Sequence, residues 1–285
     1  MKLAVVGDIH TYFDEGDVAF LNSADVDGVL FVGDLCNYWW WEGYAAARQM
    51  ARLEKTAVFI PGNHDTAHLF HILADVFHIG WLERVSAVGQ RRRLAVLQQM
   101  LLPVVVGGYS RHTFRAEDMT LDVIVGRPFS SGGVGLTYPT ILRQAYGISS
   151  LAQSADRLKQ LVDESQAEAL LFLGHNGSSG LGGEAHDIWG VDFRPEAGDH
   201  GDADLETAVA YARAQGKRVT AVAAGHMHHQ LKNGGQRQWH IIQNDTHYIN
   251  AARVPRIQND QHHIVLLHIT PETIDVQPFF FGNQD

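Results

Sequence analysis

A single cysteine, Cys36, is all that 285 residues contain. No intramolecular disulfide can form, and nothing calls for an oxidising compartment. Long apolar runs are missing as well: no stretch approaches the roughly 18 residues that a membrane-spanning helix needs. Positive charge is scarce. Lys and Arg number 22 against 32 Asp and Glu, a formal net charge of −10. The basic residues are scattered, which argues against a face that grips duplex nucleic acid through its phosphates. The densest run, Arg91-Arg92-Arg93, falls in a helical pattern over residues 82–99 and reads as a solvated helix face. There is no internal repeat, no low-complexity tract and no Pro/Gly/Ser linker, so residues 1–285 read as one domain, large enough to bury its own core. The opening Leu3-Ala4-Val5-Val6 is too short for a signal-peptide core and runs straight into Gly7-Asp8. It reads as a buried strand, and the expected location is cytoplasmic.

Histidine is in excess, with 17 residues. Several stand just beyond apolar runs. Residues 2–6, 28–32 and 56–60 end in Gly7-Asp8-Ile9-His10, Gly33-Asp34 and Pro61-Gly62-Asn63-His64-Asp65, with helical patterns at 15–22 and 42–53 between them. Continuous apolar runs fit strands buried on both faces, and their alternation with helices predicts parallel βαβ units. The polar turns then gather beyond the carboxyl ends of the strands, where open α/β sheets bind ligands. The device recurs at 169–173, ending in Gly174-His175, and at 219–224, ending in Gly225-His226-Met227-His228, each run preceded by a helical stretch (150–165 and 203–214). Beyond these, strands alone are predicted at 238–242, 246–250, 262–269 and 273–280, feeding a second, more antiparallel sheet. The class is α/β.

Asp8 and His10 are two apart, as are His226 and His228, and in an extended segment such pairs share a side. Asp34, Asn63 and His175 complete a set of two carboxylates, one amide oxygen and four imidazoles. This mixture suits Mn, Fe, Zn or Co better than a thiolate zinc site or an all-oxygen calcium site. Seven ligands are too many for one ion and suit two ions sharing a carboxylate. Any one Gly-Asp or Gly-His is commonplace, and a lone buried histidine is more often hydrogen-bonded than ligating. Five such turns in order, each after a strand, point to metal.

In order and spacing, Asp8-x-His10, Gly33-Asp34, Gly62-Asn63-His64-Asp65, Gly174-His175 and Gly225-His226-x-His228 resemble the calcineurin-like metallophosphoesterase superfamily. The resemblance spans residues 7–228 and implies a four-layer αββα arrangement, a two-sheet β-sandwich flanked by helices. It implies that Asp8, His10 and His228 hold one metal ion, that Asn63, His175 and His226 hold another, and that Asp34 bridges them. His64 would be the acid beside the metals, oriented by Asp65. The activity implied is hydrolysis of a small phosphate ester, mono- or diester, by a hydroxide shared between ions roughly 3.5–4 Å apart. Gly177–Gly183 and Gly198-Asp199-His200-Gly201-Asp202 are similar to a branch of the superfamily found in cyanobacteria and plastids. One position departs from many members: three residues after Asp34 stands Asn37, with Tyr38 one further on, which separates the chain from the tyrosine-ligated purple acid phosphatases. Two other readings remain, a binding scaffold of the same fold without turnover and a phosphoprotein phosphatase. The complete ligand set, with His64, favours the hydrolase.

Substrate contacts are sought between the motifs. Arg111 and Arg127 lie with His112 and Arg115 in the glycine-rich stretch 107–135; either arginine could hold a phosphate bidentately, or all could be solvated loop charges. Asn176, beside His175, is a further candidate. Gly177–Gly183 offers backbone N–H groups to an anion, without the Lys-Ser/Thr of a nucleotide phosphate loop. His186, Asp187, Asp192, Asp199, His200 and Asp202 crowd one loop, as a third metal site or a lid. Asp202 and Asp204 read rather as the start of the helix at 203–214. Trp39-Trp40-Trp41 would stack on a nucleobase or line an apolar pocket, with core packing expected of at least one.

Overall fold

The computed structural model describes residues 1–77, 79–116, 119–193, 196 and 198–282. The first half runs β1 (Lys2–Val6), α1 (Glu15–Ser23), β2 (Gly28–Phe31), α2 (Tyr44–Met50), β3 (Ala57–Phe59), α3 (Leu69–Val76), α4 (Gly80–Ser86), α5 (Gln90–Leu101) and β4 (Val105–Val106). The second runs β5 (Ser110–Ala116), β6 (Met119–Val125), α6 (Pro139–Tyr146), α7 (Leu151–Asp163), β7 (Ala169–Leu173), α8 (Ala203–Ala214), β8 (Arg218–Ala224), β9 (His240–Gln243), β10 (Thr246–Asn250), β11 (Ile257–Gln258), β12 (Gln261–Ile269) and β13 (Ile274–Gly282). Among the described residues no helix is long and apolar enough to cross a membrane.

The strands form two sheets. One has the order β11-β12-β1-β2-β3-β4, with β13 on the other edge of β12; the second has the order β5-β6-β7-β8-β10-β9. Within each buried strand, residues alternate between two cores. Leu3, Val5, Leu30 and Val32 face Val123, Val125, Leu171 and Ala223 between the sheets. Ala4, Val6, Phe31 and Phe59 face the other way, onto Val18, Ala47, Met50 and Leu97 of α1, α2 and α5. Ile124, Leu170, Phe172 and Val222 are covered by Leu158, Leu161, Leu205 and Val209 of α7 and α8. This is the expected αββα sandwich.

Four details differ from expectation. Of the last strands, β9 and β10 join the second sheet as expected, but β12 pairs antiparallel with β1, Leu3 opposite Leu267, and with β13 beyond it belongs to the first sheet. The second sheet has a parallel centre, β6-β7-β8-β10, with antiparallel strands at its edges. The helix expected over 82–99 is two helices, broken where Gly89 takes φ +79°; there Arg91 and Arg92 are exposed, while Arg93 turns in to donate to the Thr66 carbonyl at 2.6 Å. The glycine-rich stretch 107–135 contains the β5–β6 hairpin, so Arg111, His112 and Arg115 lie on an edge strand.

One buried ion pair ties α1 to the segment before β11. Arg256 donates to both Asp17 oxygens, at 2.7 and 2.8 Å, with neither side chain exposed. His262 lies 3.1 Å from the same carboxylate. Asp14, Asp17 and His262 could by spacing hold a cation, but the guanidinium already neutralises Asp17. Removing one partner strands a buried charge. Asp17→Ala is therefore expected to lower the unfolding free energy by about 3–5 kcal/mol, read as an earlier urea midpoint, and adding Arg256→Met should restore part of the loss.

Candidate metal centre

The polar turns come together where β1, β2, β3, β7 and β8 end. His10, Asp34 and His226 have φ of +42°, +50° and +68°. Non-glycine residues seldom occupy this left-handed region, and those that do cluster at functional sites. The expectation that Asp8/His10 and His226/His228 sit on extended backbone is corrected here: the chain turns at His10 and at His226. Backbone bonds lock the turns together, with His10 N–H donating to the Asp34 carbonyl at 2.7 Å and Gly225 N–H to that of His175 at 2.7 Å.

Two motif glycines owe their place to crowding. A Cβ at Gly62 would overlap Asp34 Oδ1 and His175 Cε1; one at Gly225 would overlap Asp8 Oδ1. The candidate ligand side chains are seated directly on neighbouring backbone.

All seven candidate ligands meet. Asp8, His10 and His228 form one group and Asp34, His175 and His226 another, the ligand atoms of each lying within 4.8 Å of one another. Asn63 Oδ1 is 2.9 Å from His175 Nε2. Asp34 faces both groups, Oδ2 lying 3.8 Å from His10 Nε2 and Oδ1 3.4 Å from His175 Nε2.

The ring orientations bear on metal binding. His10 Nδ1 points at the Cys36 carbonyl (3.1 Å) and His175 Nδ1 at that of Val32 (2.6 Å). A nitrogen facing a carbonyl must carry the proton, so Nε2 of each neutral ring is a bare lone pair. The His175 lone pair faces another acceptor, Asn63 Oδ1, at 2.9 Å, and that of His10 lies 3.3 Å from His228 Nε2. An acceptor turned on an acceptor, as at His175, suits a cation between them.

Protonation agrees. Burial lowers the pKa of His10 and His175, takes His226 well down with help from His175, and with His10 takes His228 to about 4. All four rings are neutral near pH 7, the form that ligates. Burial raises Asp34, but His175, His64, His10 and His226 outweigh it and hold the carboxyl below its usual range. Burial and then the Asp34 charge push Asp8 well up. The Asp34 carboxylate, buried beside the Asp8 carboxyl and four imidazoles, forms a site that a metal ion would neutralise.

The other candidates fall elsewhere. Asp65 does not hold the His64 ring. Fully buried, it accepts from Leu35 N–H and Gly62 N–H, both at 2.8 Å, and so ties the turn after β2 to that after β3; burial and Asp34 raise its pKa to about 8. His64 Nδ1 faces instead the backbone carbonyl of Asn37, the residue at the departing position. Arg111 is paired with Asp122 at 3.0 Å and lines neither cavity described below. Arg127 is buried and spent on Asp202, Asp204 and Thr137. Asn176 donates to the His200 carbonyl at 2.7 Å, its Oδ1 buried without a partner.

In Gly177–Gly183 the amides of Ser179 and Gly180 are taken by Asp202 and Asp199, so they do not form an open cradle. Among the described residues the loop crowded with His and Asp offers no three-ligand group. Asp192 is paired with Arg237, and Asp202 stands at the N-cap of α8 with its carboxylate given to Arg127 and Ser130 rather than to the helix. The tryptophans are not core residues. They precede α2: Trp39 stacks on Trp41 at 5.0 Å, and Trp40 meets Tyr44 edge-on.

Two cavities open on the ligands. One of about 240 Å³ is lined by Asp34, His64, His226 and His228 with Asp192, Phe193, Lys232 and Arg237. A larger one, about 780 Å³, runs from Asn63, His64 and His226 past His200 to Ile72, Val76, Phe77 and Phe193. Lys232 lines both. Of these, Phe77, Phe193, Lys232 and Arg237 carry no motif and were not foreseen. Arg237 gathers the carbonyls of Ala185, Asp187 and His228.

A family model of calcineurin-like phosphoesterases matches residues 1–230. The chain belongs to this family. Calcineurin-like phosphoesterases are in general hydrolases of phosphate esters and use a dinuclear metal centre, which fits the two ligand groups here. One solved structure resembles the chain with a TM-score of 0.58 at 12% identity, covering 98% of each. A dimetal phosphatase from Danio rerio is similar at 0.49 and 11%, over 99% of this chain and 98% of its own. A novel archaeal phosphodiesterase is similar at 0.39 and 11%, over 99% and 100%. No match was found among curated proteins.

Because Gly62 lies against two ligands, Gly62→Ala should displace Asp34 and His175 while sparing the rest of the fold. Metal retention on that side is expected to weaken about 10–100-fold, the usual effect of disturbing what holds a ligand. Metal content after dialysis, with far-ultraviolet circular dichroism as the check on folding, measures it.

Proposed function

We propose that the protein is a dinuclear metal-dependent hydrolase of small phosphate esters, mono- or diesters. The observation that carries this reading is the arrangement of Asp34, whose two oxygens face two separate groups of imidazole and carboxylate ligands. In the proposed assignment Asp8, His10 and His228 hold one ion, Asn63, His175 and His226 the other, and Asp34 touches both. The donor set suits Mn, Fe or Zn. Two such ions supply a water acidic enough to ionise near neutral pH and a positive clamp for phosphoryl oxygens.

The chain's own residues do the rest. The His10 and His175 rings are held by backbone carbonyls, so their lone pairs do not have to reorient on binding. Asp65 fixes the spacing of two ligand turns. His64 donates from Nδ1 to the Asn37 carbonyl and lines both cavities. With its ring protonated, Nε2–H is left to hand a proton to the leaving oxygen. A scaffold without turnover would not need the complete ligand set or a histidine kept beside it.

Reconstitution with Mn or Zn should saturate at two ions per chain by elemental analysis, and chelation should remove both along with ester hydrolysis. Saturation at one ion, with Asp8→Ala and His226→Ala removing that same ion, would overturn the dinuclear assignment.

His64→Ala separates chemistry from metal binding. Both ions should stay, and turnover of an ester with a poor leaving group should fall by about 10²–10⁴-fold, the range of general acid help. A nitrophenyl ester, whose leaving group needs no proton, should lose less. Metal loss on the scale of His175→Ala would make His64 a ligand instead.

A further inference from the structure

The larger cavity is lopsided. One end is polar, made by Asn63, His64 and His226; the other is walled by Ile72, Val76 and Phe77 with Phe193, and the polar groups beside them include Asp75, whose carboxylate accepts from Ser131 Oγ at 2.6 Å, and Thr137. Val76 and Phe77 are 49% and 66% exposed, and Phe193 is 38% exposed. On α3 the apolar surface continues outward through Phe70 and Leu73, themselves 55% and 37% exposed. Phe70, Leu73 and Val76 recur every third residue and Phe77 follows Leu73 by four, so they share one side of the helical turn. Exposed apolar residues leading into a cleft beside the candidate ligands mark a binding surface.

Lys232 belongs to the same lining. It lines both cavities, and its ammonium lies 5.6 Å from the centre of the Phe193 ring. Phe193 is held in place through its neighbour: Asp192 accepts from the Lys232 backbone N–H at 3.1 Å and pairs with buried Arg237 at 3.1 Å. The cleft therefore offers an anion site and an apolar trough in line.

Building on the hydrolase reading above, we propose that the substrates are amphiphilic phosphate esters: the phosphoryl group sits by the metal ligands and Lys232, and an alkyl chain lies between Phe77 and Phe193 and runs out along α3. Hydrolysis forms one bond from water oxygen to phosphorus and breaks the bond from phosphorus to the alkoxy oxygen. The alkoxy oxygen takes a proton, so the products are an alcohol and a phosphate or phosphate monoester.

Calorimetric titration of the Mn-loaded full chain with methylphosphonate and with octylphosphonate below its micellar range tests this, since neither probe can be hydrolysed. Each methylene taken out of water is worth about fourfold in affinity, so octylphosphonate should bind about 100-fold tighter if half its chain is buried. Phe77→Ser should cut the octyl-to-methyl ratio about tenfold, and Phe193→Ser should do likewise. Ile242→Ser, exposed on β9, should leave the ratio alone. Equal affinity for the two phosphonates, or a ratio unmoved by both Phe variants, would overturn the proposal. Hydrolysis of nitrophenyl phosphate and bis-nitrophenyl phosphate is measured beside it. If both stay intact, the hydrolase reading fails, while the affinity ratio still decides whether the cleft selects alkyl chains.

Discussion

Asp8, Asp34 and Asp65 are carboxyl groups packed under one surface with at most 1% exposure each. Like charges so placed repel, and desolvation makes each ionisation harder. The surroundings divide the three. Asp65 is given backbone N–H donors and becomes a brace. Asp8 accepts from His226 N–H and stands over the first ligand group. Asp34 is enclosed by imidazoles and stays ionised. Five strand ends must be brought together to achieve this, and the left-handed turns at His10, Asp34 and His226 are the backbone's response. The two sheets meet at this edge, where the turns after β1, β2 and β3 in one, and after β7 and β8 in the other, supply a single cluster.

Much of this could be read from the sequence because the ligands fall directly after apolar runs. A buried parallel strand is an unbroken apolar stretch, and its carboxyl end is a fixed place in the fold, so order along the chain translates into position. The same logic is silent about strands with other signals. The β5–β6 hairpin was hidden by its arginines and by the glycines around it, since an edge strand tolerates charge on its open side. The placement of β12 beside β1 rests on which sheet edge is free, and no local pattern reports that. Glycine hinted at turns, yet at Gly62 and Gly225 its reason is the neighbouring ligand, a contact between residues far apart in sequence.

Side chains chosen for chemical type alone fared worst. Arg127 looked like a phosphate grip and is instead the counter-ion of Asp202 and Asp204, while Arg237, in a stretch without a motif, binds the carbonyl of His228 and steadies Asp192. An arginine's partner is a matter of tertiary contact. Two buried guanidiniums hold described parts of the segment between β7 and α8: Arg127 through the carboxylates of Asp202 and Asp204, and Arg237 through the carbonyls of Ala185 and Asp187 and the carboxylate of Asp192.

The pairing of β1 with β12 also has a history in time. The Met1 amino group donates to the carbonyl of Ile269, 268 positions away, and Asp8 stands at the far end of the same strand. During synthesis at about 5–20 residues per second, β1 and its ligand turn wait many seconds with one edge unpaired before β12 leaves the ribosome. Over that interval Asp8 and His10 are already made, but the sheet edge that would hold their strand is missing and His226 and His228 have only just followed. The candidate centre is thus completed late: until His226 and His228 follow, five of its seven candidate ligands, Asp8, His10, Asp34, Asn63 and His175, are present, on a strand still open to the wrong partner.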